Sequence, residues 1–508
     1  MVGAWWLLAT VVAAAPAGDK VTSIPGFEEY FGNGSMDFEV YSGYLNVSLP
    51  DDSLPYDNLV IHYEFHTCRA ADCPVAVWHQ GGPGGSSIFG AWTEMGPFQL
   101  MARGPVLNLE HAWNNAAHML YLESPAGSTV ADAKTGFSNC SKAGVTQDEC
   151  FWTDKTQAVA YAHTLRAFFE AFPEFGNREL YLVGESYAGQ YIPNIASFMV
   201  AHPEVVGKNL SGVAVGNGCW GGTTDTVRCN GYHAEQNDIE IYYGKGLISK
   251  RLYQSIQAVC NWSITTNSDD DDDAIDVFGE ECVGQLDAAE DAVGKYNVYN
   301  VYDDCNLKLA DRRRLAAGTS LKTKLREMMH EATPYYAGYP WNCESDPALD
   351  AYFTRADVQA ALHLTAPGSG FRYDQSGPAS ITLYPELLKH MRVLIYNGDA
   401  DLCVPYVGNE EWTTSMVDLG YATEKRAWHP WYDRDASSYA PAGYVTTYDV
   451  LDKVYSAAGD DFMFLTIRLA GHMVPQYVNW RLIPDIRRRY QPKAALSFFQ
   501  RFLSGEEF

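Results

Sequence analysis

The stretch Leu180-Tyr-Leu-Val-Gly-Glu-Ser-Tyr-Ala-Gly189 decides how the rest of the chain is read. Leu180 to Val183 is a short apolar run with the character of a buried strand. It breaks at Gly184, and the residues after Ser186 can open a helix. A serine on a sharp strand-to-helix turn has its hydroxyl lifted clear of the sheet, with a helix N-terminus behind it that favours developing negative charge. Strand and helix backbones crowd at such a turn, so small residues are needed on both sides. Gly184 and Ala188 supply them, although the generic G-x-S-x-G pattern would have a glycine at 188. A serine so placed needs a histidine, a carboxylate and oxyanion donors from elsewhere, in the chain order Ser, Asp, His.

Working outward, the residues before this turn alternate strand and helix. His62–Phe65 and Val75–Trp78 read as strands, and His118–Leu122 as another. From Thr153 to Phe172 the apolar residues fall on one helical face, with Thr153 or Asp154 as the cap and Pro173 as the stop. Directly after Val75–Trp78 comes Trp78-His-Gln-Gly-Gly-Pro-Gly-Gly-Ser-Ser87. Four glycines in five positions let backbone N–H groups approach a ligand closely, as an oxyanion hole requires. No Gly-Lys-Ser/Thr follows, so this is not a phosphate loop. Ser211–Gly216 gives one more strand.

Beyond Cys219 the alternation lapses until about Asp346, in a stretch with six of the eleven cysteines, a five-aspartate run (Asp269–Asp273) and the triplet Arg312–Arg314. This segment, 219–345, is expected to be a cap inserted into the core. The aspartate run is a solvated loop rather than a metal site, because adjacent aspartates cannot converge on one ion without a sharp turn. The pattern then resumes with a helix from Arg355 to Leu362. Val393–Tyr396 is a strand running into Asn397-Gly-Asp-Ala-Asp-Leu-Cys-Val-Pro405. Phe464–Leu469 is another, leading into Ala470-Gly-His-Met-Val-Pro475, and a helix over Ala494–Leu503 closes the chain. A carboxylate after one late strand and a histidine after the next, both following a serine turn, is the order of an α/β-hydrolase: a mostly parallel sheet with helices on both faces.

Composition agrees. At 508 residues and 47% hydrophobic the chain buries a large core, and a formal net charge of −27 excludes nucleic acid and anionic membranes as partners. Residues 1–17 resemble a signal peptide, with an apolar run too short to span a bilayer and Ala15-Pro-Ala17 as its cleavage site; no later run reaches membrane-spanning length. The mature core is then expected over 18–218 and 346–508. Five N-x-Ser sequons, at Asn33, Asn46, Asn139, Asn209 and Asn261, and an odd but large number of cysteines point the same way, to the secretory pathway.

Taken together, GESYAG, the GGPG loop, SPAG, the GDxD segment after a strand, and AGHMVP resemble the serine carboxypeptidase family, from about Pro25 to Phe502. The resemblance implies a serine-type carboxypeptidase that releases C-terminal residues from peptides and proteins through an acyl-enzyme, favoured at acidic pH, without metal or other cofactor. It places the nucleophile at Ser186, the histidine at His472 and the aspartate at Asp401, with Asp399 as the lesser candidate. Oxyanion donors fall on the backbone N–H groups of Gly82 and Tyr187. The substrate's C-terminal carboxylate would be bound through Trp78, Gln80, Gly81, Glu94 and Glu185.

Two departures stand out: Gln80 replaces the family's usual asparagine, and Gly85 replaces a cysteine common in members of the family. The cysteine pairs suggested are Cys68–Cys73, Cys140–Cys150, Cys219–Cys229, Cys260–Cys282 and Cys305–Cys343, the last two matched to family positions; spacing alone does not fix the connectivity. Two rivals are an acyltransferase or esterase on the same scaffold and a binding or protective protein. The expected partners are peptide or protein C-termini, a homodimer is compatible with all of this, and the expected location is the lysosome, the vacuole or the cell exterior.

Overall fold

The computed structural model describes residues 16–32, 36–50, 54–101, 104–130, 136–222, 227–231, 233–263, 278–294, 296–302, 346–365, 367–434, 440–476 and 491–508. The N-terminal run to residue 15, Asn33, the aspartate run, the arginine triplet, Cys305 and Cys343 lie outside them. Twelve described strands join in one sheet: β1 (Val40–Ser48), β2 (Asn58–His66), β3 (Val75–His79), β4 (His118–Leu122), β5 (Asn139–Lys142), β6 (Val145–Thr146), β7 (Leu180–Glu185), β8 (Gly212–Gly216), β9 (Arg392–Gly398), β10 (Ala422–Trp431), β11 (Gly443–Val450) and β12 (Phe462–Ile467). Their order across the sheet is β10-β11-β12-β9-β8-β7-β3-β4-β2-β5-β6, with β1 paired to β2. The six central strands, β12 through β4, are mutually parallel. Both flanks are antiparallel.

The central strands read as unbroken apolar runs because both of their faces are covered. Successive side chains go to opposite sides, and two cores result. Leu180, Leu182, Val213, Val215, Val393 and Ile395 enter one. Tyr181, Val183, Ala214, Leu394 and Tyr396 enter the other. On the first side lie α2 (Asp154–Ala171) and α3 (Ala188–Ala201) with Tyr161, Leu165, Phe168, Ile192 and Ile195; on the second lies α1 (Ser87–Thr93) with Ile88 and Trp92. Each such aliphatic or aromatic side chain, fully buried, contributes roughly 1.5–3 kcal/mol before the entropy of ordering is subtracted. Helix α2 starts at a reciprocal capping box, Thr153 with Thr156, and stops before Pro173, as the sequence suggests.

Between β8 and Asp346 the described residues include three helices, α4 (Ala234–Gly244), α5 (Lys250–Val259) and α6 (Glu280–Val293), around a small cluster that includes Ile239, Ile241, Ile256 and Ala289 and meets the core at Leu402. Helix α7 (Tyr406–Asp418) follows β9 and packs Trp412 and Met416 on the first side; α8 (Pro492–Ser504) packs Phe498, Phe499 and Phe502 on the second. With all central strands parallel, the segments that follow β3, β4, β7, β8, β9 and β12 leave the sheet at one edge. That edge collects the residues singled out above.

Candidate active site

Ser186 follows β7 directly, and its φ of 61° lies in the left-handed region. A non-glycine residue there costs on the order of 1–3 kcal/mol and persists only where its surroundings hold it. Here its N–H donates to the Gly216 carbonyl at 2.9 Å, and its own carbonyl accepts from the N–H groups of Gly189 at 2.9 Å and Cys219 at 3.0 Å. The crowding expected on both sides is present. A Cβ at Gly184 would stand 2.3 Å from the His79 carbonyl oxygen and 2.8 Å from Ala188 Cβ. One at Gly81 would stand 2.5 Å from Ser186 Cβ and 2.8 Å from the Tyr187 nitrogen, so the glycine loop lies against the serine turn. Neither the Gly82 nor the Tyr187 amide donates a hydrogen bond among the described residues.

His472 and Asp401 meet. His472 Nδ1 is 2.8 Å from Asp401 Oδ2, both side chains are buried, and His472 Nε2 has no hydrogen-bond partner among the described residues. Asp401 is held from three further sides: Asn217 Nδ2 donates to Oδ2 at 2.8 Å, the Val404 N–H to Oδ2 at 3.2 Å and the Cys403 N–H to Oδ1 at 2.9 Å. With Oδ2 as the acceptor, the proton sits on His472 Nδ1 and the lone pair on Nε2. Asp399 faces elsewhere. It pairs with Lys245 Nζ at 3.4 Å and accepts from the Leu469 N–H at 2.8 Å. Burial raises its carboxyl above the usual range.

A second cluster is built on Gln80. Its Oε1 accepts from Trp78 Nε1 at 2.8 Å, and its Nε2 donates to Glu185 Oε1 at 2.8 Å and Glu94 Oε1 at 3.2 Å. Both amide hydrogens are thereby committed. Glu94 and Glu185 are buried and hydrogen-bond to each other, and neither Oε2 has a further partner among the described residues. Burial pushes Glu94 up to about 8, and burial together with the neighbouring Glu94 pushes Glu185 well above its ordinary value. Two carboxyls sharing a dry site cannot both ionise, so the pair holds protons at neutral pH.

A serine on a strained turn, a histidine oriented by a buried aspartate, and a buried carboxyl pair one loop away all lie on segments that leave this edge of the sheet. The family model for serine carboxypeptidases matches residues 25–505. The chain belongs to the serine carboxypeptidase family. It is a serine-type carboxypeptidase, acting on peptide C-termini, on an α/β-hydrolase fold. The mouse lysosomal protective protein is 30% identical over 97% of this carboxypeptidase and 95% of its own length. The Arabidopsis thaliana serine carboxypeptidase-like 21 is 28% identical over 98% and 96%. Among solved structures, a prohormone-processing carboxypeptidase from Saccharomyces cerevisiae covers 91% of this chain and 93% of its own, at 19% identity and a TM-score of 0.57, a likeness of fold.

Within this carboxypeptidase, reasoning from sequence missed several residues around the site. Asn217 follows β8 directly, where residues of parallel sheets often reach a site; a strand was read there, and that was the available signal. Its Oδ1 also accepts from the Gly398 N–H at 3.0 Å, so one side chain ties β8 to the aspartate loop. Tyr299 gave no signal at all, lying in a stretch without periodicity. Its carbonyl accepts from the His472 N–H at 2.7 Å and its ring meets the imidazole edge-on at 5.0 Å. Buried Asp154, the first residue of α2, accepts hydrogen bonds from Tyr187 Oη at 2.9 Å and Tyr373 Oη at 2.8 Å.

Four of the five cysteine pairs are joined: Cys68–Cys73, Cys140–Cys150, Cys219–Cys229 and Cys260–Cys282. The fifth lies outside the described residues. Of the sequons, Asn46, Asn209 and Asn261 are exposed. Asn139 is half-buried, its Nδ2 donating to the Phe137 carbonyl and its Oδ1 accepting from Ser369 Oγ. No described helix is long and apolar enough to cross a membrane, and no described group of histidine, cysteine or carboxylate side chains could hold a metal ion.

Proposed function

We propose that Ser186, His472 and Asp401 are the catalytic triad of this carboxypeptidase, and that Glu94 and Glu185, held by Gln80, recognise the free C-terminal carboxylate. Ser186 Oγ attacks the last peptide carbonyl while His472 Nε2 takes its proton, and Asp401 stabilises the imidazolium that forms. The N–H groups of Gly82 and Tyr187 receive the oxyanion. Collapse releases the C-terminal residue, its amine protonated by His472, and leaves an acyl-enzyme. Water, activated by the same imidazole, then frees the shortened peptide. The observation that carries this reading is the hydrogen-bonded line Asn217–Asp401–His472, ending at an unpartnered Nε2 at the sheet edge that bears Ser186.

Because both amide hydrogens of Gln80 are spent on the two glutamates, the donor left for a substrate carboxylate is a proton of the Glu94–Glu185 pair itself. The backbone of Gly81, against Ser186, borders the same space, and Trp78 fixes the Gln80 amide from behind. An ester or an acyl acceptor without a carboxylate has no use for this pair, which favours the peptidase over the acyltransferase. Residues 219–345 are proposed as a cap, supported by the clustering of α4–α6 about one small core that touches the rest of the protein at Leu402, Tyr406 and Val407. Four disulfides and exposed sequons support a place in the secretory pathway, the lysosome, the vacuole or the cell exterior.

The pair also favours the acid side. Glu94 stays neutral below about 8 and ionises above it, and Glu185 is raised with it. A carboxylate brought to about 4 Å from another is then repelled by ~4 kcal/mol at an effective dielectric near 20. Hydrolysis of an N-blocked dipeptide and of its methyl ester, measured from about pH 4 to 9, should show KM for the free acid rising on the alkaline side while the ester's does not. Ser186→Ala should abolish both activities. Superimposable pH profiles for acid and ester would rule out the pair as carboxylate sensor.

A further inference from the structure

Of the four glycines between Gly81 and Gly85, two are demanded by conformation: Gly82 has φ 136° and Gly84 φ 100°. Gly85 has no such requirement, since its φ lies outside the left-handed region. Space is what it lacks. A Cβ there would stand 3.1 Å from Gln80 Cγ, 3.7 Å from Gln80 Cβ and 2.9 Å from the Gly81 carbonyl oxygen. Carbon atoms without a bond between them rest at about 3.5–4.0 Å, so a side chain at 85 would press on the bend of the Gln80 arm.

That bend has a cause. The Gln80 amide is pinned by Trp78, Glu94 and Glu185, and on the far side its Oε1 is confined by Gly90, where a Cβ would come within 2.9 Å of it. A glutamine is one methylene longer than an asparagine. To place its amide among partners on β3, at the C-terminal cap of α1 and on β7, the longer arm must bow, and its Cγ methylene lies beside Gly85.

We propose that Gly85 is a specificity-determining residue: by having no side chain it admits the bowed Gln80 arm, and so sets the position of the glutamate pair that selects a free carboxylate. The inference rests on the carboxylate-binding role proposed above. Gln80 and Gly85 then form one unit, and changing either alone should be worse than changing both. Gly85→Ala pushes the amide off its glutamates. Gln80→Asn leaves a gap over Gly85 into which the shorter arm can slip, drawing its amide away from them. In the double variant the alanine fills the space that the shorter arm vacates.

The measurement is the ratio of kcat/KM for an N-blocked dipeptide to that for its methyl ester. A Cβ at 85 also presses on the Gly81–Gly82 peptide, which carries the proposed oxyanion N–H; both substrates meet that change, so the ratio cancels it. Fluorophosphonate titration of Ser186 counts folded sites in every variant. The ratio should fall about tenfold in Gly85→Ala and in Gln80→Asn, the size of one buried hydrogen bond lost, and return to within about threefold of the parent in the double variant. An unchanged ratio in Gly85→Ala overturns the proposal, as does a double variant no better than Gly85→Ala. Glu94→Gln with Glu185→Gln is the separate control: if that variant discriminates acid from ester as the parent does, the carboxylate reading itself falls, and this inference with it.

Discussion

Two aspartates separated by one residue, Asp399 and Asp401, are almost indistinguishable in sequence, and only their contacts tell them apart. Asp401 points to His472 and is held there by Asn217 and two backbone amides, whereas Asp399 turns to Lys245. Asp401→Asn should lower kcat by roughly 10⁴, because an amide in that place favours the wrong imidazole tautomer. Asp399→Asn, which only weakens one partly exposed ion pair, should stay within about tenfold of the parent. Steady-state kinetics of both purified variants checks this, and comparable losses in the two would refute the assignment. The sequence exposed Ser186, His472 and the aspartate pair because each sits in a motif after an apolar run. Asn217 sits in no such motif, since its task is a hydrogen bond to a residue 184 positions away.

Among the elements, those buried on both sides were the legible ones. Strands β3, β4, β7, β8, β9 and β12 are apolar runs because each lies inside the sheet, and α2 shows one apolar stripe between a cap and a proline. By contrast, β10 leaves most of its residues exposed, so Ala-Thr-Glu-Lys-Arg-Ala-Trp-His-Pro-Trp shows neither alternation nor an apolar run. Its partner β11 was equally unread. Helix α5 buries only Ile256 fully, too little to mark a stripe.

Least legible of all was the segment Tyr296–Tyr302, which nonetheless ties together the loops that carry Asp401 and His472. The Leu402 N–H donates to the Val298 carbonyl at 2.7 Å, the Val301 N–H to that of Ala400 at 2.9 Å and the His472 N–H to that of Tyr299 at 2.7 Å. Tyr299→Ala keeps these backbone bonds but removes the ring against the imidazole. It should cost about 2–4 kcal/mol of stability, as large-to-small changes in packed sites do, and lower kcat more than it raises KM. Tyr299→Phe, which retains the ring, should keep most of the activity. Thermal melting with parallel kinetics tests the pair, and an alanine variant with the parent's kcat would show that the ring does not orient His472.

At the scale of the whole molecule, buried neutral carboxyls and a large negative charge act on stability in the same direction. Glu123 and Glu94 are each raised from 4.5 to about 8, with burial as the leading cause. In the unfolded chain both ionise near 4.5. Between about 4.5 and 8 these two groups therefore hold more protons in the folded protein, and their contribution to stability falls as pH rises through that window. Buried His62, His79 and His118, lowered to about 3, 4 and 4, act the other way up to about 6.5 and are silent above it. The formal charge, 63 acidic less 36 basic side chains or −27, adds repulsion that grows over the carboxylate range. The two causes separate by salt, which screens exposed charges beyond about 8–10 Å at 0.1–0.15 M but leaves a buried carboxyl's desolvation untouched. The thermal midpoint should thus be higher near pH 7, where the histidines are neutral in both states, than near pH 9, and part of that difference should survive about 1 M salt.

Glu123 offers the cleaner test, because it lies outside the proposed catalytic and carboxylate-binding groups. Its Oε2 accepts from the Phe137 and Ser138 N–H groups and from Ser138 Oγ, at 2.8, 2.6 and 2.7 Å, and a glutamine oxygen can accept the same three. Glu123→Gln should leave the midpoint near pH 5 little changed and raise it near pH 8, flattening the curve. A parent curve that is flat or rising between pH 7 and 9 in high salt would show that these carboxyls do not govern the stability of the fold.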